Sequence, residues 1–364
     1  MYIKKLELSN YRNIERAEIK LENGLNIFYG DNAQGKTNAV EAMFLLSAGK
    51  SFKKASSNDF IRFKEERAEV KIDFFDGKND CDIKAELVRN ERKKIFLDGM
   101  PCDKTSDYIG KIGTVLFTPD HLSLVNAEPE YRRKFLDLAL CQSRTTLLAV
   151  YKEYSKLLAE KGAIIRNARE NGGKIDLFLI DVYNEKLAVC CEIIANARIN
   201  LCKKISQYGE VIYKEMTGGK EVISFEYSKS VDGVDNLKEK YFELLKNGFE
   251  TEKNTGICYY GVHRDDVKIK INGKNAREFA SQGQKRSAVL AMKLSEGDFL
   301  CESKLTMPIF LFDDILSELD EGRRDYIMSK LKGRQVVLTS CNEEFLKDAE
   351  SVKINVKNGS FKRI

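Results

Sequence analysis

The first residues that could do chemistry lie near the N-terminus, in the segment GDNAQGKT. The segment places Gly30, four intervening residues, and then Gly35, Lys36 and Thr37. Glycines at these two positions allow a backbone turn whose N–H groups point toward phosphate oxygens. A lysine that follows can reach the outer phosphates of a nucleotide, and a threonine hydroxyl can hold Mg²⁺. The predicted nucleotide-binding residues are Gly30, Asp31, Asn32, Ala33, Gln34, Gly35, Lys36 and Thr37.

Two adjacent carboxylates follow the apolar run IFLF, far along the chain. A phosphate loop needs a second metal-binding group at the end of a neighbouring strand, and Asp313 is placed to supply it. Asp313 is predicted to hold Mg²⁺ together with Thr37, directly or through water. Asp314 is predicted to orient or deprotonate an attacking water. Lys36 and Asp314 are therefore the predicted catalytic residues.

A second helix N-terminus suited to phosphate lies in FASQGQKRSAVLAMKLSE, which begins at Phe279. Ser281 is predicted to cap the helix, and Gly283 allows close backbone approach. Two such termini on one nucleotide within one molecule would be crowded. Ser281, Gln282 and Gly283 are therefore predicted to meet the nucleotide of a second copy, so that ATP joins a symmetric dimer.

The elements around the phosphate loop fit this chemistry. The run GLNIFYG predicts a buried strand before the loop, and TNAVEAMFLLSA predicts a helix after it. Strand, glycine loop and helix are the context that the motif needs. Lys36 and Asp313 are 277 residues apart, far more than one strand–helix–strand unit requires. A segment is therefore inserted between two halves of one nucleotide domain.

The inserted segment reads as helical. One helical pattern runs from Glu130 to about Arg169, and Asn171, Gly172 and Gly173 break it. A second pattern runs from about 174 to 216 with apolar residues near a 3.5-residue period. A helix of roughly 40 residues is about 60 Å long, which predicts a short antiparallel arm. The members of the apolar stripe are Leu187, Ile194, Ala197, Leu201, Ile205, Tyr208 and Ile212.

The predicted fold is an α/β nucleotide-binding head with an antiparallel β subdomain and an inserted helical lobe. The head comprises residues 1–125 and 256–364, and the lobe comprises residues 126–255. Three Asx-Gly pairs between β-like runs predict hairpins. These pairs are Asp98-Gly99, Asn272-Gly273 and Asn358-Gly359.

Composition sets further bounds on the function. The 364 residues include 61 basic and 56 acidic ones, and a net charge of +5 permits a nucleic-acid partner without arguing strongly for one. The absence of an eighteen-residue apolar run and of a signal-peptide core predicts a cytoplasmic protein without a membrane anchor. Nine scattered cysteines without a C-x-x-C pair, and only two histidines, argue against structural zinc.

Taken together, the motifs resemble a known class. The phosphate loop, SQGQ, LFDD and SELD resemble the ATP-binding cassette heads of the SMC class. Longer segments resemble the RecF family of bacterial DNA replication and repair proteins, and the resemblance is loose only over about residues 140–255. These segments are LSNYRN, GDNAQGKTNAVEAMFLLSAGKSF, RRKFLD, HRDDVKIKINGKNAREFASQGQKRSAVLAMKLSE and DDILSELDEGRR.

The resemblance implies an ATP-dependent DNA-binding protein of recombinational gap repair, with slow hydrolysis that DNA stimulates. It implies work with RecO and RecR that helps RecA assemble on single strands near a duplex junction. It assigns the signature role to residues 281–283 and a partner-facing loop to residues 317–320. It also implies a γ-phosphate sensor at Thr339-Ser340 and an approach of Arg12 to the phosphates.

Basic residues that follow the phosphate-loop helix are the predicted DNA contacts. We expect them to touch mainly phosphates, because no interleaving of aromatic and basic residues suggests base stacking. A solvated surface loop explains the same residues equally well. The candidates are Lys53, Lys54, Arg62 and Lys64.

Other functions are weighed against this one. The ATPase subunit of a membrane transporter normally keeps its phosphate loop and signature close together, whereas Lys36 and Ser281 are 245 residues apart here. A small-molecule kinase needs no SQGQ motif. A nuclease needs a further carboxylate cluster, and the acidic residues after Asn342 suggest only a surface helix. A structural clamp that binds ATP without hydrolysing it stays open, and turnover with and without DNA separates it.

Overall fold

The structure, a computed structural model, describes residues 1–172, 174–341 and 351–364. Gly173 of the predicted helix break lies outside the described residues. So does the acidic surface helix predicted after Asn342.

The strands and helices of the described chain come mostly in runs along the sequence, such as β4 to β8 and α2 to α4. The strands are β1 (Tyr2–Tyr11), β2 (Ile14–Lys20), β3 (Leu25–Tyr29), β4 (Arg67–Phe75), β5 (Asp80–Val88), β6 (Lys94–Leu97), β7 (Met100–Pro101), β8 (Thr114–Phe117), β9 (Ile223–Ser228), β10 (Asp266–Ile271), β11 (Lys274–Asn275), β12 (Ile309–Asp313), β13 (Val336–Ser340), β14 (Val352–Lys357) and β15 (Ser360–Arg363). The helices are α1 (Lys36–Ala48), α2 (Pro129–Ser143), α3 (Thr146–Asn171), α4 (Leu177–Met216), α5 (Leu237–Asn247), α6 (Phe249–Thr255), α7 (Ala276–Phe279), α8 (Gln282–Lys304) and α9 (Glu321–Lys330).

The central sheet carries the predicted site. Its order is β15-β14-β3-β13-β12-β8, and every pairing is parallel except that of β15 with β14. All five residues of β12 are buried, as expected for a strand with both faces covered. Ile309 and Leu311 pack in a core with α1, while Phe310 and Phe312 pack in a core with α8. Because successive side chains of a strand point to opposite faces, one short strand supplies both cores.

An antiparallel sheet of order β2-β1-β4-β5-β6-β7 packs in the same core as α1. This is the predicted antiparallel subdomain. The three predicted hairpins are confirmed: Asp98-Gly99, Asn272-Gly273 and Asn358-Gly359 join β6 to β7, β10 to β11 and β14 to β15. Both residues of each pair have a positive φ, which matches the right-handed twist of the strands that they connect.

The inserted helices differ from the predicted pattern in one respect. The helical stretch from Glu130 to about Arg169 is not continuous, because Arg144 ends α2 with extended backbone angles before α3 begins. The two helices pack mainly in different cores, although Leu147 at the start of α3 still packs with α2. Leu136 of α2 packs against the head, whereas Leu157 of α3 packs in the lobe.

The predicted long helix is confirmed as α4, which has 40 residues. Its first half packs in the core of the lobe through Leu187 and Ile194, and its second half packs in the core of the head through Leu201 and Ile205. In addition, β9 pairs with β10 along six residues, although β9 lies within the predicted lobe and β10 within the predicted head. The boundaries at 126 and 255 stay a prediction.

One buried arginine joins the predicted lobe to the predicted head, and a second joins two helices within the lobe. Arg132 of α2 donates to both carboxylate oxygens of Asp266 at 2.8 and 2.9 Å. Arg198 of α4 donates in the same way to Asp137 of α2, also at 2.8 and 2.9 Å. Bidentate pairs of this kind fix orientation as well as distance. The motifs RRKFLD and HRDD therefore meet at the junction between lobe and head.

Within the described residues, no helix is both long and apolar enough to cross a membrane.

Candidate nucleotide-binding site

The loop between β3 and α1 requires glycine at two positions. Gly30 has φ +151°, and a Cβ there would lie 2.2 Å from the Val356 carbonyl oxygen. Gly35 has φ +117° and caps α1. The hairpin of β14 and β15 supports the loop, because the Asn358 N–H donates to Gln34 Oε1 at 2.6 Å. Strand, hairpin and glycines thus hold a loop whose backbone can wrap an anion.

Lys36 lies inside this loop and is only 6% exposed. Its ammonium donates to the carbonyl oxygens of Gly30 at 2.5 Å and Asp31 at 2.8 Å, and Nζ lies 3.2 Å from the Cys341 sulfur. A pocket of about 210 Å³ opens over the loop. The residues that line the pocket are Asn32, Ala33, Gln34, Gly35, Lys36, Thr37, Asn38, Lys53, Asp314 and Thr339.

Asp313 is brought to the first turn of α1. It is 7% exposed and accepts hydrogen bonds from the Thr37 hydroxyl and, at 3.1 Å, from Thr339 Oγ1. Burial raises the pKa of Asp313, and the two hydroxyl donors oppose that rise. A hydroxyl and a carboxylate oxygen in contact are a donor set that Mg²⁺ accepts.

Asp314 lines the same pocket, one residue beyond β12. Its φ is +53°, so the chain turns sharply out of the strand at this point. Its backbone N–H donates to Thr339 Oγ1 at 2.9 Å, and Ser317 Oγ donates to its carbonyl oxygen at 2.9 Å. Thr339 therefore contacts both aspartates and links β13 to the end of β12.

The signature segment begins α8 as predicted. Ser281 is the N-cap: its side chain accepts from the Gln284 N–H at 3.2 Å, and its own N–H donates to Gln284 Oε1 at 2.8 Å. Ser281 and Gln282 are exposed. As far as the described residues go, 281–283 do not line the pocket over the phosphate loop of their own chain.

The remaining predicted residues differ in where the structure places them. The Arg12 guanidinium pairs with both carboxylate oxygens of buried Glu41 on α1, at 2.9 and 2.7 Å, so its approach to phosphates stays a prediction. Lys53 lines the pocket, with Nζ 3.2 Å from Asn38 Oδ1. Among the other predicted DNA contacts, Lys54 and Lys64 are exposed, whereas Arg62 pairs with Glu15 at 3.1 Å.

Three residues of the site were not predicted. Asn38 donates to Asn13 Oδ1 at 2.9 Å, and Asn13 in turn donates to the Ala33 carbonyl oxygen at 3.2 Å. Cys341, directly after β13, contacts Lys36 and Asn32. Asn38 and Cys341 adjoin predicted motifs in sequence, which was an available signal. Asn13 also adjoins a predicted residue, Arg12 in LSNYRN, although only the fold brings it to the loop.

Comparison with known proteins identifies the family of the chain. The chain matches the family model described as the RecF/RecN/SMC N terminal domain over residues 2–361. A DNA replication and repair protein RecF of Clostridium botulinum (strain Alaska E43 / Type E3) is 36% identical over 363 residues, which is 99% of each chain. The chain belongs to the RecF family. The RecF of Alkaliphilus oremlandii (strain OhILAs) is 35% identical over 96% of this chain and 95% of that one.

Solved structures give the same assignment. A structure described as the recombination mediator protein RecF-ATP in the RecFOR pathway has a TM-score of 0.90 and 29% identity, covering 100% of this chain and 97% of that one. An SMC head bound to the C-winged helix domain of ScpA has a TM-score of 0.58 and 16% identity, covering 100% and 97%, and shows the fold alone. The chain is therefore a RecF-family member with an SMC-type ATPase head, and the predicted fold class is confirmed.

Proposed function

We propose that this RecF-family chain is an ATP-dependent DNA-binding protein of replication and recombinational repair, which dimerises when it binds ATP and Mg²⁺. The observation that carries the proposal is that Thr37 and Asp314 line one pocket over the phosphate loop, while Asp313 accepts a hydrogen bond from the Thr37 hydroxyl. The likeness to a solved RecF-ATP structure over the whole chain supports the same ligand.

The residues of the loop fit a nucleoside triphosphate. A Cβ at Gly30 would fill space that the backbone needs, and Lys36 already satisfies its ammonium with loop carbonyls that outer phosphate oxygens can replace. Bound ATP supplies a γ-phosphoryl group whose hydrolysis can reset the protein. We assign Mg²⁺ to Thr37 and Asp313, and the orientation and deprotonation of water to Asp314.

The signature completes the site from a second copy. Ser281 and Gln282 are exposed and stand at the N-terminus of the 23-residue α8, where oriented N–H groups attract an anion. Because these residues lie outside the pocket lining of their own chain, a symmetric dimer would bring each signature to the partner's nucleotide. Each protomer would then hold two half-sites that work only in the dimer.

We infer further that the dimer acts in the cytoplasm on single-stranded or gapped DNA. In that role it would work with RecO and RecR to help RecA assemble, as a weak ATPase that DNA stimulates. The description of solved relatives as recombination mediators of the RecFOR pathway supports this role. The likeness to RecF proteins over the whole chain favours this role over that of a membrane-transporter subunit.

The alkylation rate of Cys341 can report whether ATP occupies the phosphate loop. It is exposed, and its sulfur lies 3.2 Å from Lys36 Nζ and 3.0 Å from Asn32 Oδ1. ATP with Mg²⁺ should therefore slow alkylation of Cys341 at least about fivefold, because phosphates held by Lys36 would cover and repel the thiolate. Mass spectrometry of peptides after a short alkylation pulse measures the rate, with partly buried Cys102 as the internal control. Equal Cys341 labelling at saturating ATP would contradict the site.

DNA binding should depend on ATP and on salt. Acidic neighbours neutralise several lysines on the outer face of the antiparallel sheet: Lys71 pairs with Asp73 at 3.2 Å, and Lys84 pairs with Glu86 at 2.6 Å. Binding by one monomer should be weak, and ATP should align two basic surfaces. Doubling the phosphate contacts roughly doubles the slope of log affinity against log salt.

Fluorescence anisotropy across a salt series, with and without ATP, tests the proposed function. We expect tighter binding and a steeper slope with ATP, and a loss of both in Lys54→Glu and Lys64→Glu. Lys104→Glu is the matched control, because Lys104 is also exposed and lies away from the pocket lining. Equal affinity and equal slope in both nucleotide states would reject an ATP-assembled DNA clamp.

Measuring ATP turnover distinguishes the proposed ATPase from a structural clamp that binds ATP without hydrolysing it. A protein that hydrolyses ATP should release phosphate faster with DNA, whereas a clamp of this kind should bind ATP and release none.

A further inference from the structure

Arg323, in the first turn of α9, joins two segments that are far apart in sequence. Its guanidinium donates to the carbonyl oxygen of Gly283 at 2.9 Å and to Ser287 Oγ at 2.8 Å, both on α8. A third N–H donates to Asp320, which also caps α9 by accepting from the Arg323 N–H at 3.0 Å. One side chain therefore holds the signature backbone and the end of the loop 317–320.

The surroundings of the Arg323 side chain leave little room for a different residue at 283 or 323. Ser287 is buried, and the Arg323 side chain is 26% exposed. A Cβ on Gly283 would lie 3.1 Å from the guanidinium, so a larger residue at 283 would push the arginine away. The planar fork of arginine serves three acceptors at fixed angles, which a lysine ammonium cannot do.

A second link runs in parallel. Arg286, on α8, donates to the Glu318 carbonyl oxygen at 2.6 Å, and its guanidinium lies 3.8 Å from the Glu318 carboxylate. The two side chains of this pair are about half exposed, so screening weakens it. Arg323 is the better shielded of the two links, and three of its five N–H groups are engaged.

We propose that Arg323 is a positioning residue that holds residues 281–283 and 317–320 as one preformed surface for the partner's nucleotide. The inference rests on the proposed function, because these two segments are the ones assigned to the partner copy. A signature and a loop that moved independently would have to be ordered at the moment of dimerisation, which costs association free energy. When Arg323 holds the two segments together, they are already ordered and correctly placed before the partner binds. Arg323 touches neither the loop 30–37 nor its pocket lining, so ATP binding by one chain does not require it.

The test separates dimerisation from nucleotide binding. Arg323→Ala should bind a fluorescent ATP analogue as the parent does, and should need at least about tenfold more protein for half-maximal ATP-dependent dimerisation, measured by sedimentation. ATP turnover per chain should fall at low protein concentration and recover as the concentration rises. A folding defect would lower analogue binding and would not recover in this way.

Hydrogen exchange supplies an independent readout. In Arg323→Ala the amides of both 281–286 and 317–320 should exchange faster, because the better shielded of the two links between them is lost. Lys330→Ala is the matched control: it removes another cation of α9, paired with Glu215 at 3.0 Å, and should change neither segment nor dimerisation. Arg323→Lys keeps the charge and replaces the alanine variant if that one is unstable, with a smaller shift in the same direction.

The outcomes are distinct. If the parent itself does not dimerise with ATP, the proposed function fails. If the parent dimerises, and a folded Arg323 variant dimerises at the same concentration with unchanged exchange, the positioning role is overturned.

Discussion

Lys36→Ala is expected to abolish measurable ATP binding. The ammonium is the charge at the centre of the loop, and backbone N–H groups alone poorly neutralise a triphosphate. A charged hydrogen bond contributes roughly 1.5–3 kcal/mol, so losing contacts to two phosphates should weaken binding by about a hundredfold or more. Titration with ATP and Mg²⁺ in a calorimeter measures the change.

The control for this variant is a neighbouring lysine. Lys54 is exposed and does not line the pocket, so Lys54→Ala should bind ATP as the parent does. Thermal unfolding without nucleotide checks that both variants are folded. A folded Lys36→Ala protein with parental affinity would mean that the nucleotide site lies elsewhere.

The second large effect is on assembly, and two substitutions should act in opposite directions. Ser281→Arg should block ATP-dependent dimerisation while sparing ATP binding by the monomer, because a bulky cation cannot enter a closed interface at the capped start of α8. Asp314→Asn should stabilise the ATP-bound dimer, because an amide cannot take a proton from the attacking water. The amide is nearly the same size as the carboxylate, so the pocket should keep its shape.

Light scattering, followed while a limited amount of ATP is consumed, distinguishes the two variants. The parent dimer should decay as ATP is consumed, the Asp314→Asn dimer should persist at least about tenfold longer, and Ser281→Arg should stay monomeric throughout. An Asp314→Asn protein that remains monomeric with ATP at micromolar concentration would count heavily against a composite site.

Local patterns predicted much of the site. The apolar run before Gly30 became β3, the serine before a dense apolar pattern became the N-cap of α8, and IFLF became the buried start of β12. Each of these features depends on neighbouring residues only, through side-chain period, capping or glycine conformation. The Asx-Gly turns succeeded for the same reason.

Contacts between distant segments could not be predicted in this way. Cys341 reaches Lys36 because β13 and β3 pair in parallel register, and Arg323 reaches Gly283 because the first turns of α9 and α8 lie close together. The break at Arg144 was missed because α2 and α3 both keep helical apolar spacing, although most of α3 packs in a different core from α2. These contacts depend on tertiary packing, which the local spacing of apolar residues does not determine.

The central claim is that each ATP site is built from two chains, and complementation tests it most directly. Lys36→Ala has an intact signature without a nucleotide loop that binds, and Ser281→Arg has an intact loop without a working signature. ATP turnover should be near background for each variant alone and should rise severalfold when the two are mixed. In a mixed dimer the introduced cation faces the empty loop of the Lys36→Ala chain, where it meets no bound nucleotide, and the other site is complete. Parental turnover by Ser281→Arg alone would show that the site is complete within one chain, and would contradict the account.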